Sequence, residues 1–235
     1  MKILDSLVTD RRESDRRFVI YRPEGEQDLG EWFANHGVDV EYRPLPADGP
    51  DPFVAIEADG EFVGALGVDE LTWLTEPPIV RPGEREGLSE GYRVLFDLFD
   101  ETVFTTMERR QLLAVSREIE DRVYRAGTGT FHVSFQTLST FESQIEPYRR
   151  LAADTDVDVH IHGLADWTPP AIPNVTYHGY SESALKRYWV LAFDGGDGRA
   201  QPCGLVAQEG SDGYSGFWTD DAETVKEILT ELAEG

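Results

Sequence analysis

The residues best suited to chemistry lie between Thr105 and Gln136, a segment that mixes polar groups with a periodic apolar pattern. Ser116 and Glu120 are four residues apart, so in a helix their side chains project from one face. Arg117 flanks them and offers a planar set of donors that suits a carboxylate or a phosphate. Buried polar groups cost free energy unless they are partnered. The segment therefore predicts either a binding site or a set of structural pairs.

Aromatic residues on predicted strands are a second candidate feature, notably Trp189 and Trp218. Aromatic walls with a few converging polar groups are typical of small-molecule pockets, although aromatic residues also fill ordinary cores. We predict a pocket between a helix over 106–125 and a sheet that carries Gln136, His160 and Trp189. The alternative is that these side chains are core packing alone.

Histidines are the third candidate feature. His160 and His162 share one face of a predicted strand, because alternate side chains point the same way, and His132 lies on another strand. With Cys203 or Asp158 as a further ligand, these side chains could form a zinc site. No second motif with metal-ligand spacing accompanies them, so we favour histidines hydrogen-bonded to the backbone and predict no metal. The cofactor, if the protein has one, is not defined by the sequence.

The motifs of common enzymes do not occur: there is no nucleophile elbow, phosphate-binding loop or dinucleotide fingerprint. Of the neighbouring acids Glu118, Glu120 and Asp121, only Glu120 is expected to face the core, so no working carboxylate pair is predicted. The Asp-Gly-Gly-Asp-Gly run at 194–198 lacks the flanking helices and terminal glutamate of an EF-hand and fits a hairpin turn better. We therefore expect a protein that is not an enzyme.

The segment that carries the polar residues predicts a helix followed by a strand. Thr105 and Glu108 have the spacing of a capping box, and Gly127 is a typical helix stop. Residues 131–136 alternate between apolar and polar, which indicates a strand. The apolar stripe of the helix consists of Leu112, Val115, Ile119 and Val123.

Similar patterns predict the other elements. Asp59-Gly60 between two apolar runs indicates a hairpin, Val40 and Tyr42 are expected to point inward, and Ser139 with Glu142 has the spacing of a second capping box. The helix it opens could be kinked at Pro147.

The same patterns define the remaining elements. Strands are predicted at 17–21, 38–43, 53–58, 61–67, 157–162, 175–178, 188–193, 203–208 and 214–218, and helices at 27–35, 68–74, 89–101, 139–153, 181–187 and 220–233.

A weak internal repeat links the two halves. VDVEYRPL at 38–45 and VDVHIHGL at 157–164 each follow a strand and a helix, and a hairpin and a helix come after each. The three-residue match alone could be chance, but the matching order of elements predicts a duplication. We predict a mixed α/β (α+β) fold of two related strand–helix–strand units with mixed sheets, joined by long central helices. The predicted domains are 1–88 and 89–235.

The charge of the chain excludes some partners. Its 45 acidic and 21 basic residues give a net charge of −24, and such a chain repels phosphate backbones. We therefore expect no direct nucleic-acid binding. Lysine occurs only at positions 2, 186 and 226. An acidic, lysine-poor chain indicates adaptation to molar salt, where self-repulsion is screened; an ordinary acidic cytosolic protein is the alternative.

Location is predicted from what the sequence lacks. No apolar run approaches the ~20 residues of a membrane span, and the first residues have no signal-peptide pattern. Cys203 is the single cysteine, which excludes an internal disulfide. We expect a cytoplasmic protein that does not associate with membranes.

Several short motifs resemble one known family when they are taken in order. SREIED, FQTLS, YRRLA, VHIHG, YWVLAFDG, LVAQE and GFWTDD, between about Met107 and Leu229, resemble the DICT sensory domain. Upstream, EYRPLPADGP, LTWLTEPPI and YRVLFDLFDETVFT resemble haloarchaeal standalone members. The resemblance implies a sensory role, since the family is named for its attachment to diguanylate cyclases and two-component systems. It implies no particular ligand.

We therefore expect a sensory or regulatory module that binds a small ligand or a partner protein and signals through another chain, and that could form a homodimer. The predicted ligand-binding residues are Ser116, Arg117, Glu120, Gln136, His160, Trp189 and Trp218. A ligand-free protein–protein scaffold is the first alternative, and a weak enzyme is the second.

Overall fold

The structure is a computed structural model that describes residues 4, 16–23, 39–46, 48–58, 60–68, 103–181, 184–198, 200–211 and 213–234. The predicted helices over 27–35 and 89–101, most of the one over 68–74, and the boundary between 88 and 89 lie outside these residues. In the described part, no helix has both the length and the apolar character needed to cross a membrane.

The smaller sheet comes from the first part of the chain. Its strands, as far as the described residues show, are β1 (Arg16–Arg22), β2 (Asp39–Pro44), β3 (Phe53–Ala58) and β4 (Glu61–Gly67). They lie in the order β2-β1-β3-β4, with β1 parallel to β2 and antiparallel to β3. The predicted hairpin around Asp59-Gly60 is confirmed as the antiparallel pair β3–β4.

The larger sheet contains seven strands in the described ranges, in the order β5-β11-β10-β9-β6-β7-β8. These strands are β5 (Val103–Met107), β6 (Thr128–Thr137), β7 (Asp156–Leu164), β8 (Val175–Tyr180), β9 (Tyr188–Phe193), β10 (Cys203–Glu209) and β11 (Tyr214–Thr219). The helices described with it are α1 (Arg109–Ala126), α2 (Ile145–Asp154) and α3 (Ala222–Glu234). Short 3-10 helices span Leu138–Gln144 and Ala184–Arg187.

The two sheets repeat one strand arrangement. In the larger sheet, β6 is parallel to β7 and antiparallel to β9, and β9 is antiparallel to β10. The order β7-β6-β9-β10 therefore matches β2-β1-β3-β4 in both position and direction. Asp39 and Val40 of the first Val-Asp-Val segment lie on β2, and the second segment lies on the equivalent strand β7. The strand order expected from the predicted duplication is therefore confirmed in the described residues. The mixed α/β fold with mixed sheets is also confirmed.

Helices cover both faces of the larger sheet. α1 packs on β6, β9 and β10, and α2 packs on β7. Alternate residues of β9 belong to different apolar clusters: Leu191 lies with the buried residues of α1, while Val190 lies with Ile228 of α3. The strand therefore has a helix on each side. Phe18 and Val54 of the smaller sheet belong to the cluster that contains α1.

Some local predictions are wrong. Thr105 lies on β5 and does not cap a helix; β-branched residues such as Val103, Thr105 and Thr106 favour strands. α1 begins after Glu108, whose backbone N–H donates to Oε1 of Gln111 at 3.0 Å. Its predicted end is confirmed, since Gly127 has a φ of 72°.

The second capping box is also wrong. Residues 138–144 form a 3-10 helix whose cap is Thr137, which accepts from the N–H of Thr140 at 3.3 Å. The N–H of Ser139 donates instead to Asp166 at 2.9 Å. Pro147 lies in the first turn of α2, where a missing N–H costs little, so it does not break a helix interior.

Tyr42 is a further correction. It was predicted to point inward, but 39% of its surface is exposed. The guanidinium of Arg22 lies 4.5 Å from its ring, a contact that covers the aromatic surface in place of a core.

Candidate functional site

The backbone pairing between β6 and β9 ends part-way along β6. The ladder runs from the pair Phe131–Phe193 to the pair Val133–Leu191. Beyond it, the side chain of Ser134 takes over: Oγ donates to the carbonyl of Tyr188 at 3.1 Å and accepts from the N–H of Val190 at 3.0 Å. A side chain thus replaces the next backbone pair, and the chain of β6 is free to turn away from β9.

The turn occurs at Gln136. Its φ is 58°, a left-handed conformation that is uncommon outside glycine. The pairing of β6 with β7 shifts register between Ser134 and Thr137, which places an irregularity at the same point. The Gln136 side-chain amide donates to Oε2 of Glu209 at 3.3 Å. Backbone strain of this kind is concentrated at functional sites.

A cavity of about 130 Å³ opens where the two strands part. The helix α1 and the 3-10 helix over 138–144 cover it, and β6 and β9 form its floor. Its lining residues are Arg109, Leu113, Ser116, Arg117, Glu120, Val133, Ser134, Phe135, Gln136, Thr140, Ser143, Gln144, Trp189 and Leu191.

One wall of the cavity is a buried polar network. Arg117 is hydrogen-bonded to Glu120 and to the side-chain oxygen of Gln144, and the Arg117 and Glu120 side chains are only 8% and 7% exposed. The hydroxyl of Tyr148 donates to the other oxygen of Glu120 at 2.8 Å. Each oxygen of the Glu120 carboxylate therefore has a partner.

Burial sets the acidity of this network. Loss of hydration raises the pKa of Glu120, although Arg117 and Tyr148 act in the opposite direction. Burial also lowers the pKa of Arg117, but Glu120 and Tyr148 more than offset this and leave that pKa raised. The pKa of Tyr148 is raised well above its usual value, by burial and then by Glu120. Tyr148 and Arg117 therefore stay protonated and act as donors.

The opposite side of the cavity has a different character. Arg109 is exposed, and its guanidinium lies 5.9 Å from the ring centre of Trp189. Trp189 is half-buried and meets Tyr214 edge-on, with ring centres 6.0 Å apart. No described carboxylate forms an ion pair with Arg109. An accessible cation over an aromatic ring thus lies beside the buried network.

Of the residues predicted from the sequence as ligand-binding, the structure brings Ser116, Arg117, Glu120, Gln136 and Trp189 together in the lining of the cavity. Trp218 is not among the lining residues: it is 5% exposed and stacks on Phe104 with ring centres 6.0 Å apart. Ser116 is 3% exposed, and its hydroxyl donates to the carbonyl of Leu112 at 2.9 Å.

His160 is also away from the cavity. It pairs in register with His132, whose side chain alternates with that of Val133 and so lies on the opposite face of the sheet. The pocket predicted from the sequence is therefore wrong about this residue. Within the described ranges, no group of three or more His, Cys, Asp or Glu side chains is arranged to hold a metal ion.

A second polar network on α1 was not predicted. The prediction that Glu120 alone of the acids faces the core is wrong, because Glu118 is fully buried and Asp121 is 4% exposed. Arg122 contacts both oxygens of Asp220, at 2.8 and 2.7 Å, and Oε1 of Glu118 at 3.3 Å. This network joins α1 to the segment that precedes α3.

Two ion pairs of this second network are recognisable in the sequence from their spacing. Glu118 with Arg122, and Asp121 with Arg125, have the four-residue spacing of helical ion pairs. Burial raises the pKa of Glu118 in spite of Arg122 and Arg125. Cys203 lies in the same region, and burial raises the pKa of its thiol to about 12. The contact with Asp220 carries no sequence signal, since it joins residues 98 positions apart.

Comparison with known proteins gives one family match. Residues 93–210 match the model of DICT, described as "Sensory domain in DIguanylate Cyclases and Two-component system". This range begins and ends earlier than the 107–229 expected from the motifs. It contains every residue that lines the cavity.

No curated protein matches the sequence. A crystal structure of polyphosphate kinase from Porphyromonas gingivalis aligns with 98% of this chain at 11% identity and a TM-score of 0.38. The chain spans 47% of the length of that protein.

Proposed function

The chain belongs to the DICT family of sensory domains, and from that premise we propose that it is a non-catalytic sensor that binds a small anionic ligand in the cavity between α1 and the β6–β9 junction. The observation that carries the proposal is the convergence on one cavity of polar side chains from three separate elements, which are α1, β6 and the 3-10 helix over 138–144. Concave sites in which aromatic and apolar walls meet converging polar groups are the usual form of small-molecule sites.

Charge supports an anionic ligand. The lining contains Arg109, Arg117 and Glu120, so its formal charge is positive, whereas the whole chain carries −24. A local excess of positive charge on an acidic protein attracts anions to that point. Arg109 supplies an accessible guanidinium, and its position over Trp189 favours a ligand with a flat surface that can also contact the ring.

Size limits the ligand. The cavity of about 130 Å³ is close to the ~150 Å³ of an engineered protein cavity that holds benzene. The ligand, or the part of it that enters, is therefore about the size of one small ring or a short carboxylic acid.

The state of Glu120 supports a binding role rather than a catalytic one. A general base must be able to reach the proton that it removes. Both oxygens of Glu120 are already held, one by Arg117 and one by Tyr148. We therefore assign this carboxylate to holding Arg117 in place. Output passes to another chain in the cytoplasm, in keeping with a family described from diguanylate cyclases and two-component systems.

Native mass spectrometry tests the proposal, with purified protein sprayed under non-denaturing conditions. We expect a bound small molecule in the wild type. Arg109→Gln should raise the dissociation constant at least about tenfold, the cost of about 1.4 kcal/mol for one lost charge-assisted contact, and so lower the bound fraction. Arg110→Gln is the matched control, because Arg110 is the next residue on α1 and is exposed but does not line the cavity.

The competing function is a scaffold that binds only proteins, with the Arg117–Glu120 pair as a structural support. The burial of that pair supports the scaffold function. It predicts an empty cavity in the wild type, or a bound fraction that Arg109→Gln and Arg110→Gln change equally. Either result would remove the case for a ligand site.

A further inference from the structure

Four of the five histidines of the chain lie together on the face of the larger sheet opposite α1. With Tyr180 they form what we call the histidine stack: His132 on β6, His160 and His162 on β7, and His178 on β8. Three adjacent strands thus each contribute an imidazole to one cluster.

The rings form two hydrogen-bonded pairs that lie against each other. Nδ1 of His132 is 2.9 Å from Nε2 of His162, and Nδ1 of His160 is 2.9 Å from Nε2 of His178. His132 stacks on His160 with ring centres 4.3 Å apart, and His162 stacks on His178 at 4.4 Å. The planes within these stacked couples differ by only 10° and 8°.

Each pair has a polar group at one end. The hydroxyl of Tyr180 lies 2.8 Å from Nδ1 of His162, and Oδ2 of Asp158 lies 3.3 Å from Nε2 of His160. A neutral imidazole has one donor and one acceptor. Tyr180 can therefore donate to His162, which donates to His132. His178 can donate to His160, which donates to Asp158.

Three rings of the stack, those of His132, His162 and His178, are neutral at pH 7 because their pKa values are lowered. His162 is fully buried and His132 is 6% exposed. Burial and the neighbouring imidazoles lower the pKa of His162 to about 2 and that of His132 to about 4. Burial and His160 also lower the pKa of His178. Asp158 and Asp194 act in the opposite direction on His132 without reversing the shift.

Cations close to the stack do not explain these shifts. The 3-10 helix over Ala184–Arg187 packs against β6, β7 and β9, and its charged side chains are Lys186 and Arg187. Both are exposed, and Arg187 lies 5.4 Å from the ring centre of Tyr188. Further charged or titratable groups beside the stack are the phenol of Tyr180 and the carboxylates of Asp158 and Asp194.

We propose that the histidine stack is a proton-sensing site, which holds the edge strand β8 on the sheet while its rings are neutral and releases that strand when protons bind. β8 lies at the end of the described sheet and pairs only with β7. His178 and Tyr180 are its contributions to the stack, so the strand and the stack open together. This inference does not depend on a ligand in the cavity.

Hydrogen bonding limits the number of protons that the closed stack can bind. One proton can enter the His132–His162 pair at Nδ1 of His162, which then donates to the oxygen of Tyr180 while the hydroxyl of Tyr180 turns its own hydrogen away. A second proton would place two N–H groups against each other across 2.9 Å. One proton on each pair could also place two positively charged rings face to face, as in the stacked couple His132–His160. The folded stack therefore accepts few protons, and the open form accepts more.

The sign of the pH dependence follows from this difference. Between the ordinary histidine pKa of ~6.5 and the lowered values in the folded protein, the open form binds more protons than the closed form. Acidification below about pH 6.5 therefore favours opening, and neutral pH favours the closed stack. If opening binds two protons, its equilibrium constant rises about 100-fold for each unit of pH.

Native-state hydrogen exchange tests the proposal on the intact chain. Protection factors are used because they remove the intrinsic pH dependence of exchange. We expect those of the amides in residues 176–180 to fall by about 100-fold per unit between pH 6 and pH 4. The amides of β10, which lies away from the stack, are the internal control and should keep their protection.

His178→Gln supplies the matched variant, since glutamine can hydrogen-bond but does not titrate in this range. In this variant, the protection factors of residues 176–180 should fall by about tenfold per pH unit instead of about 100-fold, because one proton fewer is bound on opening. If this variant does not fold, ring-nitrogen NMR shifts of the wild type decide, and should show His132 and His162 still neutral at pH 5. Protection that does not vary with pH, or rings that titrate near pH 6.5 without loss of protection, would overturn the proposal.

Discussion

At the scale of single residues, Arg117 and Glu120 have two roles that must be separated. Both line the cavity, and both are buried partners in an ion pair. Removal of one partner of a buried pair leaves the other charge without compensation, whereas removal of both can be nearly neutral. A single substitution at either position therefore cannot distinguish a binding residue from a structural one.

A double substitution makes that distinction. Arg117→Met should lower the free energy of unfolding by roughly 3–5 kcal/mol, because Glu120 keeps only its bond from Tyr148. Arg117→Met with Glu120→Gln should recover most of this loss, since no charge is left unpaired. Chemical denaturation measures both, and native mass spectrometry should find no bound ligand in either variant. A double variant as unstable as the single one would mean that the pair is not the source of the stability.

At the scale of elements, two glycines determine how α1 is joined to β6. Gly127 ends the helix with a φ of 72°, and Gly129, the second residue of β6, has a φ of 115°. An added Cβ at Gly127 meets nothing within 4 Å, but at Gly129 it would lie 2.5 Å from the Asp194 carboxylate and from the backbone of Gly196. The first glycine is needed for its conformation alone, and the second also for close packing against the 194–198 turn.

This difference predicts unequal costs for the same change. Gly127→Ala should lower the free energy of unfolding by about 1 kcal/mol, the cost of a left-handed alanine. Gly129→Ala should cost clearly more, because the backbone of the 194–198 turn must also move. Urea denaturation of the two variants at one pH measures the difference. Equal losses would show that the approach of the turn to β6 does not contribute to stability.

At the scale of the whole molecule, the two sheets and the net charge are the main features. The family match covers the larger unit from residue 93 to residue 210, while the smaller sheet lies before it and repeats the same strand order. The two units share one apolar cluster. Around this core, the 45 acidic residues repel one another in dilute buffer.

Salt should therefore stabilise the protein. We expect the melting temperature to rise steeply from low salt to molar KCl, because screening shortens the Debye length to about 3 Å at 1 M. The same titration near the isoelectric point of about 4.4 is the control, since the net charge there is close to zero and salt should have little effect. A melting temperature that is unchanged by KCl at pH 7 would contradict adaptation to high salt.

Local patterns in the sequence were sufficient for most of the elements and for much of the cavity. The steps of three and four residues in α1 and the alternation in β6 depend only on backbone geometry, so they can be read without the fold. Ser116, Arg117 and Glu120 came together because helical spacing alone places them side by side. Gly127 was recognisable because few other residues take its conformation readily.

Only the tertiary structure decided which face of a strand meets which neighbour. Alternation separates His160 from Ile161, but it does not say which of them faces α1; the packing of helices on both sides of the sheet settles that. The pairing of β5 with β11 and the contact of Arg122 with Asp220 join distant positions. The histidine stack needs β6, β7 and β8 to be adjacent and in register. Such contacts depend on the order of strands in space, which no local spacing encodes.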